Sequence, residues 1–145
     1  KPTSLLNRQG YVLKKEDASQ NVPYQFLQYN DRLRTTMRKT STYYEAYTYA
    51  GVLTSGIWQH VALTIKSGET AKFYHNGVLK TNEVSNTFPT FPITTTNLWL
   101  GFGQEENRYF QGLIDEVRIY NRVLSASEIQ EHYQGGIRRT EIQKP

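Results

Sequence analysis

The clearest hydrophobic pattern in the chain runs from Phe110 to Tyr133. Leu113, Asp115, Val117 and Ile119 alternate with Ile114, Glu116, Arg118 and Tyr120. That period of two predicts a strand, because successive side chains of an extended backbone point to opposite faces. Ser125-Ala126-Ser127-Glu128 then spells a helix start. The Ser125 hydroxyl accepts from the N–H of Glu128, and the Glu128 carboxylate reaches back to the N–H of Ser125. Leu124 and Ile129 stand where a hydrophobic staple packs. Gly135-Gly136 predicts the end of this helix, since glycine takes a left-handed cap without steric cost.

The same alternation recurs upstream in short runs. Strands are predicted at 5–14, 24–29, 32–38, 43–49, 58–66, 71–75, 78–81, 97–102 and 109–121. Asn30-Asp31 and 67–70 read as turns. Asn76-Gly77 is the strongest hairpin signal, because both central residues of a type I′ turn need positive φ. The segment 82–96, with Pro89 and Pro92, reads as a long irregular connection. Val61, Leu63 and Ile65 share the face predicted to enter the core. Trp58 reads as a structural anchor rather than a sugar platform, and His60 as a hydrogen-bonded structural histidine. Many short strands and one terminal helix argue an all-β sandwich.

Composition narrows the chemistry. The 145 residues contain no cysteine, which removes disulfides, thiolate metal sites and cysteine nucleophiles. No run approaches the apolar length of a membrane-spanning helix. The net charge is +4, with the excess early: Lys1, Arg8, Lys14, Lys15, Arg32, Arg34, Arg38 and Lys39. It reads either as a solvated strand face or as a patch for anionic glycans. No nucleic-acid module is recognisable. Glycan cleavage needs two carboxylates on one cleft, hence a spacing of two or four on a strand. Glu16-Asp17, Glu105-Glu106 and Asp115-Glu116 are each adjacent and so fall on opposite faces. His60, His75 and His132 lack the spacing of a metal triad, and no G-x-S-x-G elbow is present. The chain therefore reads as non-enzymatic.

Four motifs in order carry a family resemblance. They are Trp58-Gln59-His60-Val61-Ala62, then Phe73-Tyr74-His75-Asn76-Gly77-Val78, then Leu98-Trp99-Leu100-Gly101. The last is Gly112 with Ile114-Asp115-Glu116-Val117-Arg118-Ile119-Tyr120-Asn121-Arg122, Leu124-Ser125 and Glu128-Ile129. Together they resemble the laminin-G-like (LamG) jelly-roll domain of the concanavalin A-like lectin/glucanase class. The resemblance implies an antiparallel jelly-roll β-sandwich over residues 1–136 with one short C-terminal helix, and a tail or linker at 137–145. It begins at Leu5-Leu6-Asn7-Arg8-Gln9, a mid-domain strand of the family. Residues 1–145 are therefore expected to need an N-terminal segment, or strands of a neighbouring chain, to complete the sheets.

The resemblance also implies an extracellular or cell-surface recognition module for a glycan or surface protein. The alternative is a structural domain of a surface or filament assembly. Tyr43, Tyr47 and Tyr49 share parity on one strand face, with Tyr44 on the other, so three phenols offer either a sugar platform or inter-sheet packing. Glu105, Asn107 and Arg108 lie in a loop at one end of the expected sandwich, where ligands often bind. In similar jelly rolls the Asp115 position contributes to a structural Ca²⁺ site. Calcium needs six to eight oxygens, so co-ligands from elsewhere are implied. The other reading is that Asp115 accepts hydrogen bonds from a neighbouring turn.

Overall fold

The computed structural model describes residues 1–5, 9–15, 22–91, 94–102 and 108–142. Strands β1 (Gln9–Lys15), β2 (Val22–Tyr29), β3 (Arg32–Lys39) and β4 (Thr42–Thr48) form a meander of tight antiparallel pairs. Asn30 and Thr40 adopt φ of 54° and 57° at the two turns that join β2, β3 and β4. Strands β5 (Val61–Thr64), β6 (Lys72–His75) and β7 (Val78–Lys80) form a second, three-stranded sheet. Strands β8 (Asn82–Ser85) and β9 (Leu98–Leu100) close the two edges of the first sheet, giving the order β8-β4-β3-β2-β1-β9. All named ladders are antiparallel, as a jelly-roll sandwich requires.

The core lies between the sheets. Leu33, Met37 and Ala46 from the large sheet meet Phe73 and Ala71 beside the small one, with Leu53 and Phe88 filling the ends. Phe26, Tyr44, Val61, Leu63 and Ile65 pack around this cluster, so the face predicted for Val61, Leu63 and Ile65 is the one that turns inward. Phe26 and Phe73 approach to 6.3 Å between ring centroids across the gap. Burial of such apolar side chains contributes about 1.5–3 kcal/mol each and is the main stabilising term.

Helix α1 (Ala126–Ile142) opens with the predicted capping box. The N–H of Ser125 donates to Glu128 Oε2 at 2.8 Å, and the N–H of Glu128 donates to Ser125 Oγ at 3.3 Å. Arg122 adds two bonds to the same carboxylate, at 3.1 and 2.6 Å. Ile129 is fully buried. Asn76 and Gly77 have φ of 50° and 77°, the two left-handed residues of a type I′ turn. The helix presses on this turn, since a Cβ at Gly77 would fall on the Gln130 side-chain amide and lie 3.2 Å from the Tyr133 ring.

Three expectations are corrected. The helix does not stop at Gly135-Gly136 but runs on to Ile142. Neither glycine takes positive φ. A mid-helix glycine costs only about 1 kcal/mol, which the following turns offset. The predicted strand at 109–121 does not form. Glu116 turns left-handed at φ 51° and breaks the extended run. Tyr109 and Gly112 make only isolated bridges, to Tyr11 and Pro2. Conversely, the segment read as irregular from Asn82 contains β8, which lines up on β4 through Ala46–Ser85 and Tyr47–Val84. Asn86 Oδ1, accepting from the N–H of Glu45 at 2.7 Å, pins its end.

Replacing Ser125 with alanine removes one capping acceptor and lowers stability by about 1 kcal/mol. A denaturant midpoint equal to that of the parent chain would reject the capping box as a stabilising element. A second comparison isolates the helix–turn contact. Gly51, at φ 82°, faces open space, whereas Gly77 faces Gln130. Gly51→Ala carries only the left-handed penalty of about 1–2 kcal/mol. Gly77→Ala is expected to lose measurably more in the same unfolding series, and equal losses would contradict the packing of α1 on the turn.

Candidate functional site

The second face of the large sheet follows from its registers. Leu33, Thr35 and Met37 point into the core, so Arg32, Arg34 and Thr36 point away. Arg34 stands opposite Leu27 on β2 and Tyr47 on β4. Tyr29 stands opposite Arg32. Gln25, Thr36 and Glu45 form a neighbouring row, reaching Lys14 on β1 and Trp99 on β9. The face carries tyrosines and cations around the buried Leu27, Lys14, Gln25 and Thr36.

These side chains interlock. Arg34 Nη2 donates to Glu45 Oε2 at 2.7 Å and to Tyr43 Oη at 3.0 Å. The Arg34 guanidinium lies 5.1 Å from the Tyr29 ring centroid, and that of Arg32 lies 5.5 Å from Tyr47. The Tyr29 and Tyr47 rings meet edge to face at 6.4 Å. Arg32 also pairs with Glu83. Lys14 is buried, with Nζ 4.8 Å from the Tyr11 ring. Cation–π contacts of this kind are worth about 0.5–2 kcal/mol each, depending on desolvation. The early cationic excess is thus not simply a solvated strand face, since Arg32 and Arg34 are ion-paired and Lys14 is packed on an aromatic ring.

Hydrogen-bonding capacity remains unspent within this face. Gln25 Oε1, Arg34 Nε and Thr36 Oγ1 are buried without a hydrogen-bond partner. Such an atom costs roughly 1–3 kcal/mol. Gln25 and Thr36 are cross-strand neighbours, and Arg34 lies two residues from Thr36 on the same face.

The predicted phenols divide as their parity required. Tyr47 is half-buried within the lattice, Tyr43 is half-exposed beside it, and Tyr49 is exposed just beyond β4. Tyr44 packs on the core. Arg108 is half-buried next to Tyr109, which bridges Tyr11 of β1 in the same cross-strand row as Leu27, Arg34 and Tyr47. Glu105 and Asn107 lie outside the described residues. Tyr29, Arg32, Arg34, Glu45 and Gln25 were missed as site residues. The two-residue Asn30-Asp31 turn fixes Tyr29 opposite Arg32, and that register was the available signal.

Two single-residue expectations change. Trp58 is 50% exposed, standing before the edge strand β5 rather than anchoring the core. His60 receives no ring hydrogen bond at Nδ1, and it is its backbone N–H that donates to Asn76 Oδ1 at 3.0 Å. Asp115 is exposed, and its Oδ1 accepts from the N–H of Glu116 at 2.8 Å. Among the described residues no group of three or more His, Cys, Asp or Glu side chains is placed to hold a metal. Calcium ligation at Asp115 would take further oxygens, such as backbone carbonyls, to reach a shell of six to eight.

The sandwich topology and the motif order agree with a comparison of the sequence against known families. The profile Laminin_G_3, described as the concanavalin A-like lectin/glucanases superfamily, matches residues 1–130. The chain belongs to this superfamily. As a laminin-G-like domain it is 34% identical over 82 residues to adhesion G-protein coupled receptor D1 of Homo sapiens, a match covering 55% of this chain and 9% of the receptor. A crystal structure of an S-layer domain-containing protein from Clostridium thermocellum aligns with a TM-score of 0.46 at 25% identity, covering 88% of this chain and 64% of that one. The domain thus spans less than two thirds of either relative. Laminin-G-like domains are generally non-catalytic binding modules. Among the described residues no helix is long and apolar enough to cross a membrane.

The lattice predicts strong pairwise coupling. In a double-mutant cycle, Arg34→Met and Glu45→Gln are expected to couple by about 1 kcal/mol, because the pair is partly buried with side-chain exposures of 15% and 27%. A coupling near zero would show that Arg34 is not held by Glu45 in solution.

Proposed function

We propose that this laminin-G-like domain is a non-catalytic extracellular recognition module that binds carbohydrate on the tyrosine–arginine face of its large sheet. The observation that carries this reading is the lattice of Tyr29, Tyr43, Tyr47, Arg32 and Arg34 over unpartnered Gln25 Oε1, Arg34 Nε and Thr36 Oγ1. Sugars offer apolar C–H faces that stack on aromatic rings and hydroxyls that satisfy planar polar groups. The two carboxylates nearest this face, Glu45 and Glu83, are each engaged by an arginine, which supports binding over hydrolysis. The relation to an adhesion receptor supports a place at the cell surface.

A polysaccharide panel tests this. Retention of the protein without release of reducing ends is expected. Tyr47→Ala and Arg34→Met should each weaken retention at least about tenfold, the effect of losing roughly 1.4 kcal/mol. Absence of retention on every glycan, or cleavage of one, would overturn the proposal.

One observation favours a second reading, a structural domain completed by strands from elsewhere. Residues 113–120 alternate like a strand yet join neither sheet. Val117 and Ile119 are 42% and 55% exposed, and Leu113 is equally open. Strand β5 is an edge of the small sheet. Edges of this kind favour pairing with a further chain. Mass measurement in solution decides: concentration-dependent assembly supports this reading, and a cooperative, monodisperse monomer contradicts it.

A further inference from the structure

Residues Lys1, Pro2 and Thr3 are wired as the end of a strand with a neighbour on each side. Lys1 and Leu113 exchange both backbone bonds. The terminal ammonium donates to Leu113 O at 2.9 Å, and the N–H of Leu113 donates to Lys1 O at 3.0 Å. The N–H of Thr3 donates to Gln111 O at 2.8 Å, and Pro2 faces Gly112 in an antiparallel bridge. The Pro2 carbonyl turns the other way and accepts from the N–H of Gly56 at 2.7 Å. Successive residues of a strand send their backbone groups to opposite sides in this manner. The two backbones run close, since a Cβ at Gly112 would collide with Lys1 O and Pro2 Cα.

Both neighbours continue past this point. Gly56 leads towards β5, the edge of the small sheet. Gly112 leads into residues 113–120, which alternate like a strand and join neither sheet. Pro2 holds Gly56 and Gly112 apart by the width of one strand, two spacings of about 4.8 Å. Helix α1 holds the two walls further along. Its Tyr133 ring lies 6.0 Å from that of His60, just before β5. Its His132 accepts from Arg118 Nη1 at 2.9 Å and lies 3.0 Å from Tyr120 Oη. The charge of Arg118 is felt at His60, so the walls stay near each other. Val117 and Ile119 stand exposed on one wall, and Val61 and Leu63 are only partly covered on the other.

We propose that this slot receives one extended strand that runs into Lys1 from its N-terminal side, antiparallel to both β5 and residues 113–120. The proposal rests on the second reading above and narrows it, naming a single strand joined covalently to Lys1 as the completing element. Direction favours this source. Lys1 and Thr3 already pair antiparallel with Leu113 and Gln111, which aims the backbone before Lys1 into the slot. Charge favours it too. Burial, and next the Lys1 side-chain ammonium, hold the terminal ammonium below its ordinary pKa. A peptide N–H at that place makes the same bond to Leu113 O with no charge to desolvate. A strand from a separate chain would instead have to end against that ammonium. About eight residues, at ~3.4 Å each, match the wall from Leu113 to Tyr120. The small sheet then runs β7-β6-β5, the incoming strand, and residues 113–120, so neither β5 nor that segment is left as an open edge.

Residue-resolved amide hydrogen exchange tests this. The 145-residue chain is compared with the same chain carrying about eight added residues before Lys1, alternating valine and threonine. Both parities are made, so that valine faces the core in one of them. A glycine–serine extension of equal length is the control. In one parity, the amides of residues 115–120 and of Val61–Thr64 are expected to exchange at least about tenfold more slowly than in the control, with the β2–β3 ladder unchanged. The same alternating peptide added as a separate molecule at equal concentration should protect far less, because joining it raises its effective concentration. The proposal is overturned if neither parity protects these amides, if the glycine–serine extension protects them equally, or if the separate peptide does as well as the joined one. Protection that arises in the bare chain only as its concentration rises would mean that a neighbouring copy fills the slot. The second reading would then stand and the covalent strand would not. Amides already protected in the dilute bare chain would overturn both.

Discussion

The arrangement depends on one packing constraint, the burial of one face of the β3–β4 pair against the small sheet. Leu33, Met37 and Ala46 are sealed against Phe73 and Phe88. A strand has only two faces. Once the odd-numbered positions of β3 are committed to the core, Arg32, Arg34 and Thr36 must stand on the other side. The register of the meander then places Tyr29 and Tyr47 across from these arginines. The candidate site is thus a consequence of core packing rather than a loop grafted onto it. Its geometry is held by three adjacent ladders, which supports rigid presentation of the rings.

The junction of α1 with the small sheet is organised by shape and charge instead of strand parity. The type I′ turn at Asn76-Gly77 provides a flat surface where a side chain would otherwise stand, and Gln130 and Tyr133 of α1 use it. The extended segment after Gly112 contributes Arg118 and Tyr120 to the same junction through side chains, although its backbone joins neither sheet. This explains how one helix is retained with little sheet beneath it.

Much of this was legible in the sequence where a local rule decides the outcome. The capping box at Ser125 and Glu128, the Asn76-Gly77 hairpin and the opposite parities of Tyr44 and Tyr47 each follow from spacing alone. The failures share a cause. Residues 109–121 have the strongest alternation in the chain, but alternation creates a strand only when a neighbouring ladder exists. Glu116 breaks the run instead. β8 was hidden because Asn82–Ser85 has weak alternation and gains its order from β4. Gly135-Gly136 carried a stop signal that nothing downstream enforced. Arg34 and Glu45 escaped notice as a pair because their contact needs the register of two strands, not the pattern of either.

The central claim is that ligands meet the tyrosine–arginine face of the large sheet. The most direct measurement is a residue-resolved NMR titration with an oligosaccharide that the protein retains. The largest shifts are expected at Tyr29, Arg34, Tyr43, Tyr47 and Gln25, with Val61–Thr64 and the first turns of α1 unmoved. Shifts confined to residues 113–120 or to the neighbourhood of Arg108, with the Tyr47–Arg34 lattice silent, would contradict it.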